Sequence, residues 1–332
     1  TYLNLVTIRG EIKGFPAAAR AFYGKPHSEL FFAERLWLYG LIPSPNAEWA
    51  TIETRACRYG KKLNPLFDCT DLASFRPELR PMEMKSLAPH ALAYLNVKGP
   101  SPSTINLTLQ KKVSEILSRH VRALHTKNVR DAAALVVDRE TGDILAYVGG
   151  VQVEGSSYHV DHVQALRQTG STLKPFLYAQ AIQERRLTMN SPLLDAPFAV
   201  AVEGLTYRPE NHNRRFLHRA VPLKEALGSS LNIPAIRAID LVTPARFYKF
   251  LTDLGLGLPF PIEYYGHSLA LGAADASLYT LVQGYLELAQ GHKAPQLHLR
   301  PGAPNVFDTP FTAEVSSVMT HILSEKSNRI HS

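Results

Sequence analysis

An α+β fold, an antiparallel sheet with helices, is what this sequence predicts, and three observations predict it. Two short apolar, β-branched runs at 132–138 and 144–148 flank the turn residues Glu140-Thr141-Gly142-Asp143 and read as a hairpin. Around that hairpin, apolar residues recur at helical spacing over 110–127, 277–290 and 312–323. A proline-rich stretch, with Pro65, Pro77, Pro81, Pro89, Pro100 and Pro102, separates a helical N-terminal part from the remainder. The chain therefore divides into 1–63, a connector at 64–103, and 104–332.

In chain order, segment 29–41 follows Ser28 as N-cap and carries Leu30, Ala33, Trp37 and Leu41, before Pro43-Ser44-Pro45 ends it. Segment 47–62 reads as a second helix, with Arg55, Arg58, Lys61 and Lys62 on a solvated basic face. The stripe Val113, Ile116, Leu117, His120, Val121 and Leu124 makes 110–127 amphipathic and places His120 in a core. A helix begins near Ser171 and runs to 186, followed by a loop marked by Pro192 and Pro197. A short helix over 222–227 precedes a helix opened by Pro234, and another spans 243–255. Residues 257–265 and 295–310 read as loops.

Composition narrows the function. With 332 residues the chain is long enough to bury a large core without staples. Its net charge of +7 and pI near 9.3 suit anionic partners such as acidic lipid or a pyrophosphate-bearing substrate. No basic run, zinc spacing or aromatic-and-basic interleaving points to nucleic acid. His159, Asp161 and His162 lack the ligand set a metal needs, and no cofactor motif is present. Cys57 and Cys69 can pair or stay as thiols; two cysteines do not decide it. No apolar run approaches the roughly 18 residues of a membrane span, and no signal peptide is present.

The chemistry concentrates in Thr169-Gly170-Ser171-Thr172-Leu173-Lys174-Pro175-Phe176. On a helix, residues i and i+3 share a face, so the Lys174 amine can reach the Ser171 hydroxyl. A serine nucleophile wants an adjacent base, and a lysine serves when burial lowers its pKa. Gly228-Ser229-Ser230-Leu231-Asn232-Ile233-Pro234-Ala235 offers a second polar pair on a connection between two helices. There Ser230 can relay a proton, and Asn232 can donate to and accept from an amide. The same Ser-x-Asn pattern at Ser44-Pro45-Asn46 shows how weak the tripeptide is alone.

Taken together, Gly-Ser-x-x-Lys-Pro-Phe followed by Ser-Leu-Asn-Ile-Pro-Ala resembles the transpeptidase module of class A, bifunctional penicillin-binding proteins, of the type with a hydrophobic middle residue in Ser-x-Asn. Thr104-Ile105-Asn106, Tyr207-Arg208-Pro209-Glu210-Asn211 and Leu269-Ala270-Leu271-Gly272 resemble further segments of that module. Tyr2-Leu3-Asn4, Gly14-Phe15-Pro16 and Tyr23-Gly24-Lys25 resemble the end of the family's lysozyme-like glycosyltransferase domain.

The resemblance implies 1–63 as the tail of that domain and 104–332 as the penicillin-binding transpeptidase domain. It implies Ser171 as nucleophile, Lys174 as base, Ser230 as relay and Asn232 as substrate-binding amide. No metal or organic cofactor is implied. The implied partners are peptidoglycan stem peptides and β-lactams, with a lipid-linked glycan precursor for the parent protein. The implied location is the periplasmic side of the bacterial inner membrane, through an anchor outside this chain.

The family's Lys-Thr-Gly strand is not found; Lys326-Ser327-Asn328 is the nearest match. The expectation is therefore a fragment that starts after the glycosyltransferase glutamates and stops before that strand. Such a fragment lacks an oxyanion donor worth on the order of 10²–10³ in rate and turns over poorly. Alternatives are a non-catalytic fragment, or a serine β-lactamase or D,D-carboxypeptidase.

Overall fold

The computed structural model describes residues 6–9, 12–78, 87–96, 101–202, 205–212 and 214–330. The chain divides into two compact units, Thr1–Ser86 and Leu87–Ser332.

The first unit opens with a short antiparallel pair, β1 (Thr7–Ile8) and β2 (Ile12–Lys13), then three helices: α1 (Phe15–Tyr23), α2 (Phe32–Leu41) and α3 (Trp49–Leu63). α1 has Pro16 at its start and ends at Gly24 in the left-handed region, φ 69°. α2 starts three residues later than its sequence predicts. Ser28 falls in a 3-10 turn, and the Glu34 carboxylate accepts the Phe31 N–H at 2.7 Å, closing the helix start instead. Phe22, Leu36, Trp37, Leu38, Leu41, Ile52 and Ala56 form the core. α2 and α3 approach so closely at Gly40 that an added Cβ would stand 2.8 Å from the Ile52 carbonyl oxygen.

Part of the proline-rich stretch folds back on this core as a 3-10 turn, Cys69–Phe75. Leu72 is fully buried there, and its carbonyl accepts the Trp37 indole N–H at 3.0 Å. The same turn brings Cys69 to Cys57 with Cα atoms 5.2 Å apart, and the two form a disulfide. Tyr2-Leu3-Asn4 lies outside the described residues.

The second unit begins with α4 (Pro89–Leu95) and α5 (Leu107–Ala123), the latter capped by Asn106, whose Oδ1 accepts the Leu109 N–H at 3.0 Å. The predicted hairpin is present as β3 (Ala134–Val137) and β4 (Ile144–Val148). Gln110 of α5 lies along β4. Its amide accepts the Tyr147 N–H at 2.8 Å and donates to the Tyr147 carbonyl at 2.9 Å, as a neighbouring strand would. His120 differs from expectation: it is exposed, because the buried face of α5 runs through Gln110 and Val121, about a quarter of a turn away.

Eight further strands follow: β5 (Arg167–Gln168), β6 (Pro192–Asp195), β7 (Val200–Val202), β8 (Leu205–Tyr207), β9 (Arg219–Pro222), β10 (Asp275–Ala276), β11 (Lys293–Pro295) and β12 (Val306–Asp308). Among the described residues the named strands form two-stranded antiparallel pairs, β3–β4, β5–β10, β6–β9, β7–β8 and β11–β12 in this unit, with one isolated parallel bridge between Asp143 and His298. The β11–β12 pair occupies part of the run predicted as a loop; Pro295 sits at its last ladder position, where the missing N–H interrupts least.

The remaining helices are α6 (Lys174–Gln183), α7 (Leu223–Gly228), α8 (Asn232–Val242), α9 (Pro244–Asp253), α10 (Ile262–Tyr265), α11 (Leu278–Gln290) and α12 (Ala313–Ser324). Short α10 falls within the other predicted loop. Ser277 and Thr312 cap α11 and α12 through their hydroxyls, at 3.0 and 3.3 Å. α6 is apolar on almost every face and is buried from Lys174 through Ala181. It therefore forms the centre of the unit, against Ile236 and Ile239 of α8, Phe247 of α9, and Met319 of α12. No helix among the described residues is long and apolar enough to cross a membrane.

Candidate active site

Ser171 sits on a 3-10 turn, Gly170–Leu173, which runs directly into α6. The sequence predicts one α-helix here; the chain instead tightens to three residues per turn before Lys174. The Lys174 N–H closes the turn on the Ser171 carbonyl, so the two residues stand one tight turn apart. The turn is fixed from two sides. The Thr169 N–H donates to the Ala274 carbonyl at 3.1 Å, and the Gly170 N–H to the Gly272 carbonyl at 3.2 Å. The Thr169 hydroxyl donates to the Ala274 carbonyl at 2.9 Å, and the Tyr285 hydroxyl to the Thr172 carbonyl at 2.8 Å. Gly272 has φ 78°, and a Cβ on it would fall 1.9 Å from the Gly170 carbonyl oxygen. Only glycine fits, so Leu269-Ala270-Leu271-Gly272 presses its last residue against the one preceding Ser171.

Lys174 is fully buried, whereas Ser171 is exposed. Its amine donates to the Ser230 carbonyl at 2.7 Å, to the Asn232 Oδ1 at 2.7 Å and to the Ser230 hydroxyl at 3.3 Å. No carboxylate pairs with it among the described residues. Burial without a counter-charge brings its pKa down from 10.5 to about 8. None of its three bonds goes to Ser171. A buried ammonium takes the strongest acceptors in reach, and a carbonyl and an amide oxygen outrank a solvated hydroxyl.

The Ser230–Asn232 segment joins two helices with a single residue between its polar groups. The Ser230 N–H donates to the Leu227 carbonyl at 2.9 Å and the Leu231 N–H to the Ala226 carbonyl at 2.9 Å. This is a Schellman closure of α7, with Ser230, φ 53°, where glycine is usual. A serine there costs about 1–2 kcal/mol, and the conformation turns its carbonyl toward Lys174. Asn232 is the first residue of α8. Its Nδ2 donates to the Glu210 carbonyl at 2.8 Å, which leaves its Oδ1 for Lys174.

Of the four residues singled out from sequence, Lys174, Ser230 and Asn232 are joined by hydrogen bonds, and Ser171 lies on the turn just before Lys174 without a side-chain bond to any of them among the described residues. Lys326-Ser327-Asn328 forms a 3-10 turn beside Gly228, not a strand. Asp161 accepts the Tyr147 hydroxyl at 2.6 Å, and His162 stands 3.5 Å from Asp131, so both serve local structure. Sequence reasoning missed the roles of Asp195 and Asn211, described below.

Comparison with known proteins gives a consistent picture. A family described as "Penicillin binding protein transpeptidase domain" matches residues 132–301, and one described as "Transglycosylase" matches residues 1–63. Penicillin-binding protein 1C of Escherichia coli is 30% identical over 91% of this chain and 40% of its own length. Penicillin-binding protein 2D of Bacillus subtilis is 25% identical over 99% of this chain and 49% of its own. The chain thus spans about two fifths to a half of these curated relatives. The crystal structure of penicillin-binding protein 1A from Haemophilus influenzae superposes with a TM-score of 0.63 at 18% identity, covering 94% of this chain and 63% of that one.

Proposed function

Because this chain belongs to the class A penicillin-binding proteins, we propose that it carries the serine D,D-transpeptidase centre of a peptidoglycan-synthesising protein. Residues 1–63 are then the end of the glycosyltransferase domain, 64–103 the connector and 104–332 the transpeptidase domain. The observation that supports this most is the buried, uncompensated Lys174 held by Ser230 and Asn232, one tight turn from an exposed Ser171.

In this reading Ser171 attacks the carbonyl of the penultimate D-alanine of a stem peptide. The bond from Oγ to carbon forms as the hydroxyl proton passes to the neutral Lys174 amine. With a pKa near 8, roughly a tenth of Lys174 is neutral at pH 7, some two to three powers of ten more than an ordinary lysine. The carbon–nitrogen bond then breaks, and the departing D-alanine amine takes its proton from Lys174 through the Ser230 hydroxyl, 3.3 Å away. Asn232 aligns the stem-peptide amide. The amine of a second stem attacks the acyl-enzyme, returns a proton by the same route and frees Ser171. A β-lactam acylates the same hydroxyl. The parent protein would draw on a lipid-linked glycan precursor at its other centre. The Cys57–Cys69 disulfide fits an oxidising compartment, and with the family supports the periplasmic face of the inner membrane.

Labelling with fluorescent penicillin tests this reading. A band present in the wild-type chain and lost in Ser171→Ala is expected; no wild-type band, or one retained in the variant, removes Ser171 as the nucleophile.

A further inference from the structure

The Ser230–Asn232 segment is held by two residues outside the nucleophile and Ser-x-Asn motifs. α8 starts at Asn232, and its N-cap residue, Leu231, carries no acceptor. Asn211 supplies one from another segment: its Oδ1 accepts the Asn232 N–H at 2.9 Å and the Ile233 N–H at 3.5 Å. Two of the donors left open at a helix start are thereby met by a side chain in trans. Asn211 is 5% exposed, and a neighbour decides which way round its amide sits. Nδ2 donates to the Asp195 Oδ1 at 2.8 Å and to the Arg215 carbonyl at 2.9 Å. A carboxylate only accepts, so the amide oxygen must face Asn232. Asp195, at 0% exposure, closes β6, and its Oδ2 takes the Leu217 N–H at 2.8 Å.

We propose that Asp195 is a positioning residue for the acylation centre: through Asn211 it holds the start of α8 so that Asn232 and Ser230 converge on Lys174. The inference rests on the nucleophile-and-base reading above. Asp195 itself makes no hydrogen bond to Ser171, Lys174, Ser230 or Asn232 among the described residues. Its hydrogen-bonded path to the site runs through Asn211. In Asp195→Asn, an amide of the same size sets its own NH₂ against either the Asn211 NH₂ or the Leu217 N–H. Asn211 is then free to turn its NH₂ toward Asn232, α8 loses its acceptor, and the Asn232 oxygen is no longer held on Lys174.

The test follows acylation by fluorescent penicillin against pH, with amide hydrogen exchange at Asn232 and Ile233. Asp195→Asn is expected to lower the acylation rate by up to about 10²-fold, what an ångström-scale misplacement can cost. It should also move the pH limb that reports Lys174 and speed exchange at both amides at least tenfold. Combining Asp195→Asn with Asn211→Asp restores a donor opposite an acceptor and should recover part of the rate. A folded Asp195→Asn with wild-type exchange and an unmoved limb overturns the proposal, whatever its rate; so does a double variant no faster than the single. If the wild-type chain takes no label at Ser171, the nucleophile reading fails by itself, and the exchange data still decide whether Asp195 holds the helix start.

Discussion

Replacing Lys174 by methionine keeps the unbranched side chain to within one atom of its length and removes its charge, which isolates what burying that charge costs. In the folded protein burial lowers the Lys174 pKa from 10.5 to about 8. In the unfolded chain it titrates near its ordinary value, about 10.4. Between these values the folded state binds fewer protons than the unfolded one, so stability rises with pH across the window from about 8 to about 10.5. At 1.36 kcal/mol per pH unit, the lowering amounts to about 3 kcal/mol. The whole cost is present below pH 8 and is gone above pH 10.5. Lys174→Met lacks it, so the wild-type stability minus that of the variant should climb by about 3 kcal/mol between pH 7.5 and 10.5. The constant offset between the two curves is a separate matter. Methionine leaves the Ser230 carbonyl and the Asn232 Oδ1 without a donor, about 1–3 kcal/mol each if no water replaces it. Other lysines titrate in both proteins and cancel. Urea unfolding of both proteins at half-unit pH steps measures the difference. A flat difference means that the amine is hydrated and carries an ordinary pKa, and the case for Lys174 as a neutral base at physiological pH collapses.

Two further outcomes follow from the geometry. Gly272→Ala places a methyl group 1.9 Å from the Gly170 carbonyl oxygen in a left-handed backbone; it should cost more than about 2 kcal/mol in urea unfolding and slow acylation of Ser171, and an alanine variant of unchanged stability and rate would disprove the clamp. Removing the Cys57–Cys69 disulfide by Cys57→Ser with Cys69→Ser opens a loop of twelve residues; it should lower the stability of the first unit by about 3 kcal/mol in a melting experiment and leave penicillin labelling unchanged.

Ser171 and Lys174 were legible as candidates because serine–lysine chemistry asks for that spacing, one turn apart in the chain. The helices were legible for an equally local reason. Ser277, just ahead of an apolar-periodic run, states the cap of α11, while the face that is buried runs through Gly284, Leu286, Glu287 and Leu288. What escaped depends on distant partners. Asp195 is one acidic residue at the end of an ordinary short strand, and nothing nearby says that it faces an asparagine sixteen residues on. His120 lies about a quarter of a turn from the buried face, on the flank of the stripe and not at its centre. The Cys57–Cys69 bond depended on 69–75 folding back on α3, for which the proline-rich sequence gives no periodic signal.

The spacing of Ser-x-Asn also has a structural cause. Ser230 is the left-handed residue that ends α7, Leu231 turns the chain, and Asn232 is the first residue of α8. One intervening residue is what joins a Schellman closure to a new helix start, so the motif is the shortest way to put a helix-terminal carbonyl and a helix-initial amide side by side. That junction shapes Lys174 as well. Burial is the force that works on its charge. The neutral acceptors around Lys174 hold the amine in place, and none carries the negative charge that would restore its ordinary pKa. A carboxylate at position 232 would supply that charge, so the amide of Asn232 keeps the contact while leaving the Lys174 amine able to lose its proton.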